Sequence, residues 1–282
     1  MKDLKDLLAV VTPVSVSGDT PGYAASYALA LAGLSGAHLS ALIVEIELGT
    51  PAPPVEHDNM HGGNEITKSL FMTERLTRTT ELIQAAAKLA NLPCTVLPEG
   101  RSRSLRDFLI DNAQVRDLVI IDVQGPLRQP RQGLVEAALF GSGRPIILVP
   151  PAARPVVEGI ALVAWDATRS SVRALHDALP LLIRAREVVI VSITDDKGFH
   201  AARSGEDICR YLGRWDIHSR FEPVKRGSQN VGDVLLGYAA RIKADLLVMG
   251  GFGHPREREF LFGSATRDVF ESNLEVAVLL SH

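Results

Sequence analysis

The chain has 282 residues, enough for two domains of about 140, each large enough to bury its own core. A formal net charge of −3 argues against wholesale attraction to nucleic acid or to an anionic membrane, and two isolated cysteines, Cys94 and Cys209, exclude a disulfide framework and a Cys-x-x-Cys zinc or redox site. The charged start Met1-Lys2-Asp3-Leu4-Lys5-Asp6 is unlike a secretory signal, and no run reaches the roughly 18 apolar residues of a membrane span, so the expectation is a soluble cytoplasmic protein.

In chain order, the apolar run at 7–12 ends at Pro13 and reads as a buried parallel strand. Pro21 and the alanine- and leucine-rich stretch Tyr23 to Leu34 predict a helix closed by Gly36, followed by a strand at 39–45. Prolines 51, 53 and 54 with Gly62 and Gly63 predict a loop from Gly49 to Gly63. A long helix over about 67–90, a strand at 94–97, a helix near 105–112, a strand at 118–121, a further helix and a strand at 146–149 complete this half. Pro150-Pro151-Ala152-Ala153-Arg154-Pro155 has the composition of a stiff linker, which places the domains at 1–152 and 153–282. The alternation then restarts. Strands at 160–164, 188–193, 219–223, 246–249 and 276–280 enclose helices at 171–182, 207–212, 231–242 and 264–271. Strands alternating with helices predict an α/β fold of two doubly wound parallel sheets.

The halves also match residue by residue. Asp117-Leu118-Val119-Ile120-Ile121-Asp122 lies on Asp245-Leu246-Leu247-Val248-Met249-Gly250, and Gly125 falls on Gly253. Gly133 to Val149 lies without gaps on Gly263 to Leu279, pairing Phe140 with Phe270 and Ser142 with Ser272. A duplicated domain is the economical account.

The strongest chemical signal follows the fourth strand of the second half. Gly250-x2-Gly253-x9-Gly263-Ser264 places glycines, which let backbone N–H groups approach an anion, before a helix whose N-terminus offers unpaired donors. An ordinary βα turn with a serine cap is the plainer reading. An open α/β sheet, however, puts its ligand crevice at these strand ends, which favours phosphate.

In this context the spacing resembles the nucleotide-binding signature of the universal stress protein family, and both halves resemble it in topology, as in a tandem member. The resemblance implies Rossmann-like, adenine nucleotide alpha hydrolase-like domains whose last strands pair them into an intrachain pseudo-dimer. It implies that Gly250, Gly253, Gly263 and Ser264, with the adjoining Ala265, hold the phosphates of ATP, or of ADP or AMP, with Mg²⁺ recruited through the phosphates. It also implies that Asp166 meets the adenosine end and that Ala164, Ile193 and Met249 line the nucleotide through backbone or apolar contact.

Each assignment has a bland counterpart. Asp166 can cap the following helix with Thr168 and Ser170, and Ala164, Ile193 and Met249 would be core residues in any case. His254, Arg256 and Arg258 extend cationic reach toward a phosphate, yet Glu257 and Glu259 alternate with them as in a solvated loop. Trp165 and Phe252 suit stacking on a base or plain packing. His57 and His61 are four apart, but their proline- and glycine-rich surroundings read as loop and no metal site is expected. Each cysteine reads as a small buried residue.

The first half departs from the pattern: Asp122 replaces the first glycine, Leu134 replaces the serine, the intervening loop is two residues shorter, and Thr12-Pro13 stands where Asp166 does. Gly141-Ser142 reads as a turn. The expectation is one nucleotide site, in the second half. No general base beyond His254 is in view, so no catalytic residue is assigned and ATP hydrolysis is expected to be weak at most. The leading reading is a nucleotide-dependent regulatory or interaction module in stress response, with an unidentified protein partner. The alternative is a slow ATPase or nucleotidyl-transfer enzyme on the same fold. The apolar strand at 276–280 is an edge suited to joining the halves or to a second chain in a homodimer.

Overall fold

A computed structural model describes residues 4–13, 16, 19–44, 61–97, 104–151, 153–195, 202–251 and 264–282; for 61–72, 202–204 and 264 it describes the backbone alone. The elements of the first half are β1 (Asp6–Val11), α1 (Tyr23–Ser35), β2 (His38–Ile43), α2 (His61–Leu89), β3 (Cys94–Leu97), α3 (Leu105–Gln114), β4 (Leu118–Asp122), α4 (Arg131–Gly141) and β5 (Ile146–Val149). Those of the second are β6 (Ile160–Ala164), α5 (Arg169–Leu182), β7 (Glu187–Ile193), α6 (Ala202–Gly213), β8 (Ser219–Val224), α7 (Val231–Ile242), β9 (Leu246–Gly250), α8 (Ser264–Glu271) and β10 (Ala277–Ser281).

The strands form one ten-stranded sheet in the order β3-β2-β1-β4-β5-β10-β9-β6-β7-β8. Every neighbouring pair is parallel except β5 and β10, which run antiparallel with Leu279 opposite Ile147. Each half therefore repeats one strand order, and the two meet last strand to last strand. Strands buried on both faces need continuous apolar runs, which the inner strands have, whereas the edge strands β3 and β8 are half-exposed and β8 carries Arg220 and Glu222. Along β1, Leu7, Ala9 and Val11 face one core with Tyr27, Leu31, Ile83, Leu175 and Leu212 of α1, α2, α5 and α6. Leu8 and Val10 face the other with Leu109, Val135, Leu235 and Phe270 of α3, α4, α7 and α8. The result is a three-layer α/β/α molecule.

Equivalent positions make equivalent bonds. Asp117, just before β4, accepts from the backbone N–H of Lys5 at 2.7 Å and Asp6 at 3.0 Å, and Asp245, just before β9, accepts from that of Ile160 at 3.1 Å. Each carboxylate pins the start of its half's first strand. Ser142 and Ser272 follow α4 and α8, and both hydroxyls donate to the carbonyl four residues back.

Several expectations need correction. α2 starts at His61, so 61–63 are helical rather than loop; two glycines in a first turn, where N–H groups are unpaired anyway, cost less than in a helix interior. Residues 49–60, including His57, lie outside the described residues. α6 begins at Ala202 and runs through Gly205, whose missing side chain leaves room for the Phe221 ring: a Cβ would lie 2.2 Å from it. Gly141 ends α4 rather than forming a turn, and a Cβ there would meet Ile110 of α3 at 2.6 Å. β10 is no free edge. It is paired on both sides, so a second chain cannot add to the sheet there.

Candidate functional site

The register of β6 with β7 and β9 sets the C-terminal ends of these strands side by side, with Val163 opposite both Ile190 and Val248. Of the residues singled out in the sequence, this brings together Ala164, Asp166, Ile193, Met249 and Gly250. Ile193 and Met249 are buried and Ala164 is half-buried, all within the core on the α7–α8 side. Their burial follows from strand position alone, whatever ligand the edge accepts.

After β6 the chain turns sharply. Ala167 has φ +60, the left-handed region that side chains with a Cβ avoid. Asp166 holds that turn: its Oδ1 accepts from the Thr168 backbone N–H at 2.9 Å and from the Thr168 hydroxyl at 2.7 Å. Thr168 is itself the N-cap of α5, accepting from the Ser171 N–H at 3.3 Å and lying 3.1 Å from the Ser170 hydroxyl. The capping role weighed for Asp166 is therefore present. Its side chain is also exposed and Oδ2 has no partner among the described residues, so one carboxylate oxygen still faces solvent at the strand ends.

Gly250 is the last residue of β9, opposite Ser281, rather than a loop residue. A Cβ on it would lie 2.7 Å from the Ser170 carbonyl carbon, the Ser170 Oγ and the Ser171 nitrogen. Glycine lets the N-terminal turn of α5 close onto the end of β9, adding a helix N-terminus and the Ser170 hydroxyl to this edge. Sequence reasoning treated Ser170 as a cap alone. A serine two residues after a helix N-cap was the available signal, but its proximity to Gly250 depends on strand order. Gly251 lies equally close to the first half, where a Cβ would meet Leu139 of α4 at 2.9 Å. Its carbonyl is bonded to His282 Nδ1 at 3.0 Å, and the His282 ring stacks edge-on against Phe140 at 5.0 Å.

Phe252, Gly253, His254, Arg256, Arg258 and Gly263 lie outside the described residues, as does the Ser264 side chain. Ser264 opens α8 and Ala265 follows, half-buried. The first turn of α8 packs on α7: a Cβ at Gly232 would meet Asp268 Cβ at 2.4 Å and the Ala265 carbonyl at 3.0 Å, and the Gly232 N–H donates to Asp268 at 3.1 Å. Burial pushes the Asp268 carboxyl up, although the Gly232 bond pulls the other way. Trp165 is packing, not a stacking platform: it is buried in the α1–α5 core, with its N–H bonded to Val191 and its carbonyl accepting from Ser192. Past β7, Asp195 accepts from the N–H groups of Arg226 at 2.8 Å and Gly227 at 3.0 Å, and these bonds hold its carboxyl below the usual range.

The same edge of the first half is closed by its own side chains. Thr12, Asp122 and Arg131 are all buried. The Thr12 hydroxyl donates to Asp122 Oδ2 at 2.6 Å, and Arg131 Nη2 reaches the same hydroxyl at 3.4 Å. Leu134, matching Ser264, is buried in the core. α4 begins three residues before that match, and its first residue is the buried arginine.

Cys94 and Cys209 are half-buried rather than buried, and burial pushes the Cys94 thiol up, away from the reactive thiolate. Among the described residues no group of three or more His, Cys, Asp and Glu side chains could hold a metal ion, and no helix is long and apolar enough to cross a membrane.

The model of the universal stress protein family matches residues 159–279. The second half is a universal stress protein domain. Those residues contain Asp166, the end of β9 and the first turn of α8. A search of curated protein sequences finds no significant match. Among solved structures, the fold is shared with a universal stress protein from Archaeoglobus fulgidus DSM 4304, at 15% identity and TM-score 0.68, over 97% of this chain and 95% of that one. A functionally unknown protein from Pseudomonas aeruginosa PAO1 matches at 16% identity and TM-score 0.57, over 99% of this chain and 92% of that one. The cytoplasmic domain of a prokaryotic cation chloride cotransporter matches at 10% identity and TM-score 0.51, over 99% and 95%. At such identities the likeness is one of fold. It spans both halves, as the single continuous sheet requires.

Proposed function

We propose that this chain is a tandem universal stress protein, with domains at 1–152 and 153–282, that binds ATP or another adenine nucleotide at the ends of β6 and β9 and acts in the cytoplasm as a nucleotide-dependent regulatory or interaction module. The observation carrying this reading is the contrast between the two edges. The second half leaves an exposed carboxylate and a side-chain-free strand end beside a helix N-terminus, where the first half buries Thr12, Asp122 and Arg131. In this reading Gly253, His254, Arg256, Gly263 and Ser264 complete the phosphate cradle, Asp166 accepts from ribose hydroxyls or the base amine, and Ala164, Ile193 and Met249 floor the pocket. Mg²⁺, when ATP is bound, is held through the phosphates. Gly251 touches both the site and α4, which gives nucleotide occupancy a direct route to the first half.

The test is the mass of any ligand that co-purifies, followed by calorimetric titration of ATP, ADP, AMP and a non-adenine nucleotide with Mg²⁺. The expected result is one adenine nucleotide per chain, weakened about tenfold by Asp166→Ala or Ser264→Ala through loss of a hydrogen bond to a charged or polar group. Two nucleotides per chain would refute the single-site reading. No saturable adenine-nucleotide binding would refute nucleotide binding altogether.

A further inference from the structure

The antiparallel join of β5 and β10 brings the start of one half's strands against a helix of the other, and it does so twice, once on each side of the join. The two flanks differ. On one, α1 contributes Tyr27, its fifth residue, which is buried; burial, with the Asp245 carboxylate nearby, pushes its phenol well up. On the other, the fifth residue of α5 is Arg173, and the flank encloses a cavity of about 470 Å³. The gap-free match of the halves sets Leu274, buried, against Arg144, which lines this cavity.

The cavity has an apolar, aromatic side and a charged rim. Leu4, Leu179 and Ile183 form apolar wall, and Tyr211 of α6 and Trp215 just beyond it form an aromatic shelf, set edge to face with ring centroids 6.4 Å apart. Trp215 is 39% exposed, an unusual state for a tryptophan unless something covers it. His176 extends the shelf, 5.3 Å from the Tyr211 ring, with Nδ1 3.3 Å from its hydroxyl.

The rim charges are unequally matched. Asp117 is occupied by two backbone N–H groups, and Asp177 by the Ser281 hydroxyl at 2.5 Å and by Arg173 at 3.5 Å. Arg173 also donates to the Gly143 carbonyl at 2.7 Å, bracing α5 against the first half. Arg144 spends Nε and Nη2 on one neutral acceptor, the Gln114 carbonyl, at 3.1 and 3.0 Å. Among the described residues no carboxylate lies within ion-pair distance of it. The cavity therefore combines an aromatic wall with a guanidinium bonded only to a neutral carbonyl. The Asp117 carboxylate on the same rim is likewise bonded only to neutral groups and lies beyond ion-pair distance of Arg144, so the site suits an aromatic body whose single carboxylate sits on Arg144.

We propose that this seam cavity is a second ligand site, separate from the strand-end edge of β6 and β9, and that it binds small aromatic carboxylic acids, with the ring against Tyr211 and Trp215 and the carboxylate on Arg144. The ligand bridges the halves because Arg144 belongs to one and the aromatic shelf to the other. It does not depend on nucleotide binding.

The test uses 1-naphthoate and its neutral counterpart 1-naphthalenemethanol, titrated into the full chain by calorimetry. Naphthoate is expected to bind once per chain and about tenfold more tightly than the alcohol, the effect of one charge-assisted hydrogen bond. Arg144→Gln should remove that preference and leave the alcohol unchanged, while Trp215→Ala should weaken both probes alike. The proposal is overturned if neither probe saturates, if naphthoate keeps its affinity in both variants, or if ATP displaces it one for one.

Discussion

The strand ends of β1 and β4 and those of β6 and β9 occupy the same place in two copies of one strand order, yet they solve opposite problems. In the first half a carboxylate, a hydroxyl and a guanidinium fill the edge, joined through the Thr12 hydroxyl. In the second half the corresponding strand residue is Gly250, the helix N-terminus comes within touching distance of it, and the acid, Asp166, stands outside in solvent. A fold position can thus be filled by its own side chains or left without them. A buried carboxylate commits the site to the first course, because it repels phosphate and must be compensated from within.

Breaking the closed edge should have the largest effect. Asp122→Ala leaves the Thr12 hydroxyl without its acceptor and Arg131 buried beside it, and should cost about 3 kcal/mol in urea unfolding, without creating a second nucleotide site. On the open edge, Gly250→Ala drives a Cβ against Ser170 and Ser171 backbone at 2.7 Å. The start of α5 must shift, so the expected loss is about 2 kcal/mol, together with weaker ATP binding in the same calorimetric assay. Gly141→Ala sharpens the comparison. Its contacts are with the Ile110 side chain, Cδ1 at 2.6 Å and Cγ1 at 2.8 Å, rather than with backbone, and the expected cost is about 1 kcal/mol with nucleotide affinity unchanged.

Ser272→Ala removes one bond to the helix carbonyl and should cost about 0.5–1 kcal/mol in thermal unfolding, whereas Ser142→Ala also removes the acceptor of the Arg144 N–H at 3.1 Å and should cost the more of the two. The smallest effect is one of pH. Asp195 is depressed by its two backbone bonds, so the stability it adds is present above the ordinary aspartate value and is lost as pH falls through the depressed one. Asp195→Asn should flatten the acid limb of a stability profile below about pH 4 and leave the neutral range nearly unchanged.

Much of this molecule was legible in the sequence. Each strand lies within two residues of its expected position, because the inner strands, covered by helices on both faces, are continuous apolar runs and the strand–helix alternation places the edge strands β3 and β8. The helix starts at His61 and Ala202 were hidden by glycines, and only the packing of Phe221 explains the one at Gly205. Gly250 of the glycine pattern and Asp166 fall on one strand-end edge of the second half, where the register of β6 with β7 and β9 brings them side by side. The role of Gly250 did not follow from the pattern, because the atom it avoids belongs to α5, some eighty residues earlier in the chain.

By itself the sequence determined the alternation of strands and helices, the match between the halves and the chemical asymmetry of their fourth strands, since all three reside in residue identity and local spacing. Tertiary structure alone decided that the last strands pair antiparallel into one sheet, that Thr12, Asp122 and Arg131 converge, and that one flank of the join is filled by Tyr27 while the other stays open beside Arg144. Those outcomes depend on contacts between residues far apart in the chain, and burial, more than residue type, sets what a charge or a ring does there.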